Sequence, residues 1–312
     1  MDPDLARIVL GAAAALLLAT GVGVVLDRTV VSPETRGVVV NMNARIRGWW
    51  VMCLTFLASL LTGGAGSVVL FALVSALALR EFVSLLPTLR ADHGALVWAF
   101  FGFIPLQYCL VAVGRLDLVA VVIPVGGALV LALQSVLAGD TTRFLERTAD
   151  MLWGLMVCVY GVSHVPALLD LQIPGYEGQN TKLVVFFVLV VQASDVLQYV
   201  SGKWLGRAAI APTVSPTKTR EGFLGGIVGA TLLGAGLWWA TPFAPWEAGL
   251  LSLLLTLLGF AGGLVMSAIK RDRGVKDYGA LIQGHGGILD RIDSICFAAP
   301  VFFHLTRWLV AR

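Results

Sequence analysis

The chain has 312 residues, 58% hydrophobic and 13% charged, with a formal net charge of +3 and a mean hydropathy of +0.86. A soluble domain carries about 25% charged residues, so a water-soluble fold is excluded, and no nucleic-acid partner is expected. The apolar runs are near 20 residues long and do not alternate with polar ones, which excludes a transmembrane β-barrel and predicts an all-α, polytopic helical membrane protein.

In chain order the apolar runs predict about ten transmembrane helices, at 5–26, 48–63, 65–80, 95–113, 117–138, 150–170, 183–200, 222–243, 246–268 and 294–311. Eight or nine remain if neighbouring runs do not span separately. The start, Met1-Asp2-Pro3-Asp4, is acidic rather than basic, so the first run is expected to be a retained helix and not a signal peptide. Before the second run, Arg45-Ile46-Arg47-Gly48-Trp49-Trp50 has the character of an interfacial anchor with affinity for anionic lipid. Arg80-Glu81 closes the third run and is expected to form a local ion pair. His164, beside Ser163 and Pro166 in the sixth, is expected to pair with another helix, while His93 and His304 are expected at a surface or interface. Cys53, Cys109, Cys158 and Cys296 stand singly, without a Cys-x-x-Cys pair, and are expected to be packing residues. No internal repeat is visible. Residues 1–182 form a multi-span region and 183–312 a second region that carries the charged motifs, expected to make one integrated bundle.

The segments 27–47, 80–94, 139–149, 201–221 and 269–293 hold 17 of the 22 Lys and Arg residues. The positive-inside rule puts them in the cytoplasm, with both termini outside and every charged motif on the cytoplasmic face.

Three segments carry chemistry. Asp195, in Gln192-Ala193-Ser194-Asp195-Val196-Leu197-Gln198-Tyr199, ends an apolar run, where a carboxylate is expensive and points to function. The second segment is Ser215-Pro216-Thr217-Lys218-Thr219-Arg220-Glu221-Gly222. Ser215 before Pro216 has the pattern of an N-cap and first helical residue, which predicts Lys218 and Thr219 near a helix start as a point charge and a hydroxyl for phosphate. The spacing is not that of a Walker loop. The small-residue patterns Gly222-x-x-x-Gly226 and Gly225-x-x-x-Gly229 predict close helix packing, with a homodimer face as the alternative.

The third segment runs from Ser267 to Ser294. Lys270, Arg271, Arg273 and Lys276 open the loop, and a snorkelling, positive flank of the ninth span is the reading that suffices for Arg273. Asp277, His285, Gly286 and Gly287 lead into Asp290, Arg291 and Asp293 at the start of the last helix. Asp290 and Asp293, at i and i+3, lie on neighbouring parts of one face. A helix start attracts phosphate, and two carboxylates there repel it unless a cation lies between. Mg2+ takes carboxylate and phosphate oxygens together, and Asp195 is level with this group, so Asp195, Asp290 and Asp293 are the expected metal ligands. The glycines let backbone N–H groups approach a ligand, and His285 is suited to orienting a phosphate or moving a proton.

The string Lys276-Asp277 … Gly284-His285-Gly286-Gly287-x-x-Asp290-Arg291-x-Asp293 resembles the signature of the phosphatidate cytidylyltransferases (CDP-diacylglycerol synthases). The Ser215-Pro216-x-Lys218-Thr219-x-Glu221-Gly222 motif and the Asp195 motif resemble two further motifs of that family, in the same order, over roughly residues 185–300. Gln283 stands where the family usually has proline, Arg220 where an aromatic is common, and Ser194-Asp195 with Gln198-Tyr199 where Asn-Asp and Ala-Tyr are common. These departures suggest a divergent, bacterial-type branch and bear on the acceptor lipid more than on the reaction. The resemblance implies that CTP and phosphatidate yield CDP-diacylglycerol and pyrophosphate, with Mg2+ and room for a second cation. It implies catalytic roles for Asp290, Lys218, Asp277, His285 and Arg291, and substrate contacts for Ser215, Thr219, Glu221, Lys270, Arg271, Lys276, Gly286 and Gly287. It also implies a place in the bacterial inner membrane with the site facing the cytoplasm. Two other readings compete. A CTP-dependent kinase of a polyprenol or phytol would release CDP. A transporter of a phosphorylated metabolite would want charge near the midplane and broken, repeated helices.

Overall fold

The computed structural model describes residues 2–30, 32–282, 284 and 286–310. Among these, the main helices are α1 (Pro3–Thr29), α2 (Pro33–Leu61), α3 (Gly63–Val83), α4 (Arg90–Ala112), α5 (Leu116–Leu137), α6 (Phe144–Asp170), α7 (Asn180–Leu205), α8 (Arg220–Gly236), α9 (Pro245–Asp272) and α10 (Leu289–Leu309). All but α8 and α10 are long and apolar enough to cross a membrane. α8 has only 17 residues, and α10 opens on Asp290, Arg291 and Asp293. The chain is thus a polytopic helical membrane protein, an architecture that satisfies backbone polar groups within each spanning segment.

Helix boundaries depart from expectation where polar residues are good helix formers. The sequence predicts a loop over 27–47, yet α1 runs to Thr29 and α2 starts at Pro33, with proline at its first position. Arg45–Trp50 therefore lies inside α2, and the Trp50 indole donates to Thr20 Oγ1 of α1 at 3.0 Å. Each of α4, α5 and α6 contains a π-helical stretch, at Trp98–Phe103, Val122–Gly127 and Met156–Gly161.

The expected helix start at Ser215 is instead a short antiparallel hairpin. β1 (Ala209–Ala211) pairs with β2 (Ser215–Thr219), with Ala209 opposite Thr219 and Ala211 opposite Ser215. Thr219, not Ser215, caps α8, its hydroxyl accepting the Gly222 N–H at 3.1 Å. Thr217 and Thr219 are β-branched and suit a strand, while a proline is tolerated at the strand's start.

α10 runs through the centre of the bundle. Its Phe302 and Phe303 are fully buried with Leu79 of α3, Leu155 of α6 and Leu255 of α9, and Phe302 stacks on Phe187 of α7 at 5.3 Å. The two halves of the chain therefore share one core. Lipid removes the hydrophobic drive between helices, so packing and small residues must supply cohesion. The glycine stripe of α8 does this against α7: a Cβ on Gly222 would sit 2.7 Å from the Gln198 carbonyl, and one on Gly226 would be 3.2 Å from that of Ser194. The stripe is used inside the chain, as the close-packing expectation has it. α1 and α2 are peripheral, with 11% of each spanning window buried.

Ion pairs sort the two ends of the bundle. Lys182 at the start of α7 meets Asp2 at 3.2 Å and Asp4 at 3.5 Å, so the beginnings of α1 and α7 share one end. At the other end Arg273, expected as a positive flank of the ninth span, meets Asp150 of α6 at 2.9 Å. Buried Arg147 of α6 meets buried Asp92 at 2.9 Å at that end too. There the hairpin, the end of α9 and the start of α10 converge.

Candidate active site

The three motifs meet around one cavity of about 240 Å³, lined by Asp195, Lys218, Asp290, Arg291 and Asp293 together with Thr219 and several residues from neighbouring elements. α7 delivers Asp195 from within its length, ten residues before it ends at Leu205. β2 contributes Thr217, Lys218 and Thr219, and the first turns of α10 supply Asp290, Arg291, Asp293 and Ser294. Gly263 on α9 makes room for Lys218, since a Cβ there would lie 2.5 Å from Nζ and 3.8 Å from Asp293 Oδ2. The ammonium also stands 4.9 Å from the centre of the Phe260 ring, and Phe260 packs on Phe223 at 4.2 Å. Burial lowers the Lys218 pKa below the ordinary lysine value, and the charges of Asp293 and Asp195 partly restore it.

The carboxylates divide into two groups. Ser294 Oγ donates to Asp195 Oδ2 at 2.5 Å and lies 3.3 Å from Asp293 Oδ1, which also accepts the Ser294 N–H at 2.8 Å. Asp290 is held separately. Its Oδ1 meets Lys270 Nζ at 2.8 Å, and its Oδ2 accepts the N–H groups of Tyr278 at 2.8 Å and Gly287 at 3.0 Å. Among the described residues, no three His, Cys, Asp or Glu side chains cluster as a metal-ligand set. Of the three expected ligands, Asp195 and Asp293 share Ser294, while Asp290 is bound to Lys270 and two backbone N–H groups. The hard oxygens of Asp195 and Asp293 beside a cavity fit a small divalent ion, which needs only one or two carboxylates when substrate phosphates complete its shell.

Two donors in the wall are unsatisfied. Arg291 Nε and Gln198 Nε2 are buried and find no acceptor among the described residues. A buried donor left unpaired is costly, so both are poised for ligand oxygens.

The other expected site residues that the structure describes lie outside the cavity lining. Lys270 is the partner of Asp290 and sits 5.3 Å from the Tyr278 ring centre. Arg271 is exposed and donates to the carbonyls of Val214 and Val275, both at 3.2 Å, bracing the hairpin. Glu221 accepts the Arg207 N–H at 3.0 Å and closes the turn after α7. Ser215 is buried in β2, and Lys276 and Asp277 are exposed. Gly286 and Gly287 leave room for the protein's own carboxylates, for a Cβ on Gly286 would lie 2.9 Å from Asp290 Oδ2. His285 lies outside the described residues. His164 sits toward the far end of α10, its Nδ1 at 2.7 Å from the Tyr160 carbonyl and its ring against Phe303 and His304.

The residues missed by sequence are Gln198, Ser294, Phe223 and Phe260 in the wall, and Glu81 behind it. Gln198 was legible in principle, standing at i+3 from Asp195. Glu81 does not form the expected pair with Arg80. Its carboxylate accepts the N–H groups of Ile288 at 3.0 Å and Leu289 at 2.9 Å.

Comparison with known proteins shows what the chain is similar to. The Escherichia coli (strain K12) protein named "Uncharacterized protein YnbB" is 41% identical over 282 residues, 88% of this chain and 90% of its own length. A phosphatidate cytidylyltransferase of Synechocystis is 46% identical over 116 residues, 36% of this chain and 39% of its own. That of Staphylococcus saprophyticus is 38% identical over 130 residues, 40% and 50% of the respective chains. The model of the family described as "Cytidylyltransferase family" matches residues 43–309. With a match running from the middle of α2 to the last residue of α10, the chain belongs to the cytidylyltransferase family.

Proposed function

We propose that this protein is a phosphatidate cytidylyltransferase, converting CTP and phosphatidate to CDP-diacylglycerol and pyrophosphate. The observation that carries this reading is the convergence of Asp195, Lys218, Arg291 and Asp293, from three distant segments, on one cavity at the end of a membrane bundle. Family membership supports the cytidylyl transfer, and the names of the partial relatives support the lipid acceptor. A site at the bundle's end suits one substrate from water and one from the bilayer. The excess of Lys and Arg at that end supports a cytoplasmic orientation in a bacterial inner membrane.

The reaction is an in-line displacement at the α-phosphorus of CTP. A phosphate oxygen of phosphatidate forms the new P–O bond, and the bond to the β-phosphate oxygen breaks, releasing pyrophosphate. Lys218 and Arg291 neutralise phosphate charge that builds up in the transition state, with Gln198 as a further donor. Holding two anionic substrates in one cavity supplies much of the remaining acceleration. A divalent cation on Asp195 and Asp293, Mg2+ in our reading, would neutralise phosphate charge and orient the leaving group.

The test is a product assay on purified protein in mixed micelles with phosphatidate, labelled CTP and Mg2+, with and without EDTA. CDP-diacylglycerol plus pyrophosphate, lost on chelation, is the expected result. CDP released on adding an isoprenoid alcohol would replace this reading with a lipid kinase. Folded protein that forms no lipid-linked cytidylate from any phosphorylated lipid would overturn it.

A further inference from the structure

Glu81, at the end of α3, is far from every motif in sequence and outside the cavity lining, yet it grips the helix that carries the site. The first N–H groups of a helix have no intrahelical partner. At α10 two of them, on Ile288 and Leu289, donate to the two oxygens of Glu81 at 3.0 and 2.9 Å. The helix dipole adds to this, favouring negative charge at that position. Two glycines make the approach feasible: a Cβ on Gly279 would lie 2.7 Å from the Glu81 carboxylate, and one on Gly287 would also collide with it.

α3 holds the same loop a second time. Phe82 stacks on Tyr278 at 6.4 Å with an interplanar angle of 26°, and the Tyr278 N–H fixes Asp290 at 2.8 Å. Arg291, Asp293 and Ser294 follow within the first two turns of α10. Their direction into the cavity depends on where that helix begins and how it points.

We propose that Glu81 is a positioning residue for the site, a built-in anion that occupies the start of α10 and aims Arg291 and Asp293. The inference rests on the cytidylyl-transfer reading for its catalytic consequence. Because Glu81 fills the anion position of this helix start, the substrate phosphates are left to Lys218, Arg291 and Gln198.

Glu81→Gln keeps the shape but replaces one acceptor oxygen with an N–H2 group facing an N–H. Expected is a fall in kcat of about 100-fold, the scale of an ångström-sized misplacement, with KM for CTP and phosphatidate changed less than about threefold. In Glu81→Ala, added formate should refill the vacated place and restore at least about tenfold in kcat; a general packing defect would not respond. Wild-type kcat in both variants, or a loss that formate does not touch, overturns the proposal. Should the wild-type protein make no product, the cytidylyl reading fails instead, and amide exchange of residues 286–296 decides the positioning claim. Exchange about tenfold faster in Glu81→Ala supports it, and unchanged exchange overturns it.

Discussion

The hydroxyl of Ser294 on α10 donates to the carboxylate of Asp195 on α7 at 2.5 Å. This bond sets the level at which the two helices meet and keeps Asp195 beside Asp293. Ser294→Ala preserves packing but removes the donor. An unsatisfied carboxylate there costs roughly 1–3 kcal/mol, so half-saturation by Mg2+ should need about tenfold more of the ion. A Mg2+ titration of turnover checks this, and an unchanged titration curve would detach Ser294 from the proposed ion site.

The separation of Asp290 from Asp293 predicts two different phenotypes. Asp293→Asn removes one of two neighbouring carboxylates, so the protein should melt in detergent at or above the wild-type temperature and yet show no measurable turnover. Asp290→Asn strands Lys270, whose side chain is 12% exposed in its pair with Asp290. Breaking such a pair costs about 3 kcal/mol or more, and the melting temperature should fall. Equal melting for the two variants would contradict the assigned roles.

In the proposed reaction Lys218 acts while protonated, and burial lowers its pKa. The sign follows directly: as pH rises, Lys218 loses its charge earlier than an exposed lysine, and kcat/KM for CTP should fall on the alkaline side. Lys218→Arg carries a guanidinium that does not titrate in this range. Its alkaline limb should move to higher pH even if its maximum is lower. A pH profile with the same alkaline limb in both proteins would assign that limb to another group.

Gly263 separates stability from function. Its absent Cβ leaves room for the tip of Lys218, and alanine favours a helix by about 1 kcal/mol over glycine. Gly263→Ala should therefore fold normally, with Lys218 displaced and kcat/KM reduced about tenfold or more. Melting and kinetics on one preparation test both halves.

The membrane class was legible because apolar run length and charge depletion are local properties. Asp195, Lys218, Arg291 and Asp293 were legible for a similar reason, since charge at the edge of an apolar run is costly and stands out. The hairpin at Ala209–Thr219 was not, because Ser215-Pro216 reads equally well as a helix start and only pairing with β1 decides for a strand. The boundary of α2 was missed because Arg and Asn residues continue a helix as readily as they fill a loop.

What the sequence determined by itself is the solvent this chain lives in and the charged residue types that line its cavity, since burial cost and charge act residue by residue. The tertiary structure alone decided the partners: Asp195 with Ser294, Asp290 with Lys270, and Glu81 with the first amides of α10. Each carboxylate could have served equally well as a metal ligand, an ion-pair partner or a helix cap. Which role it takes depends on distances of a few ångströms between segments as many as two hundred residues apart, and helix packing around α10 sets those distances.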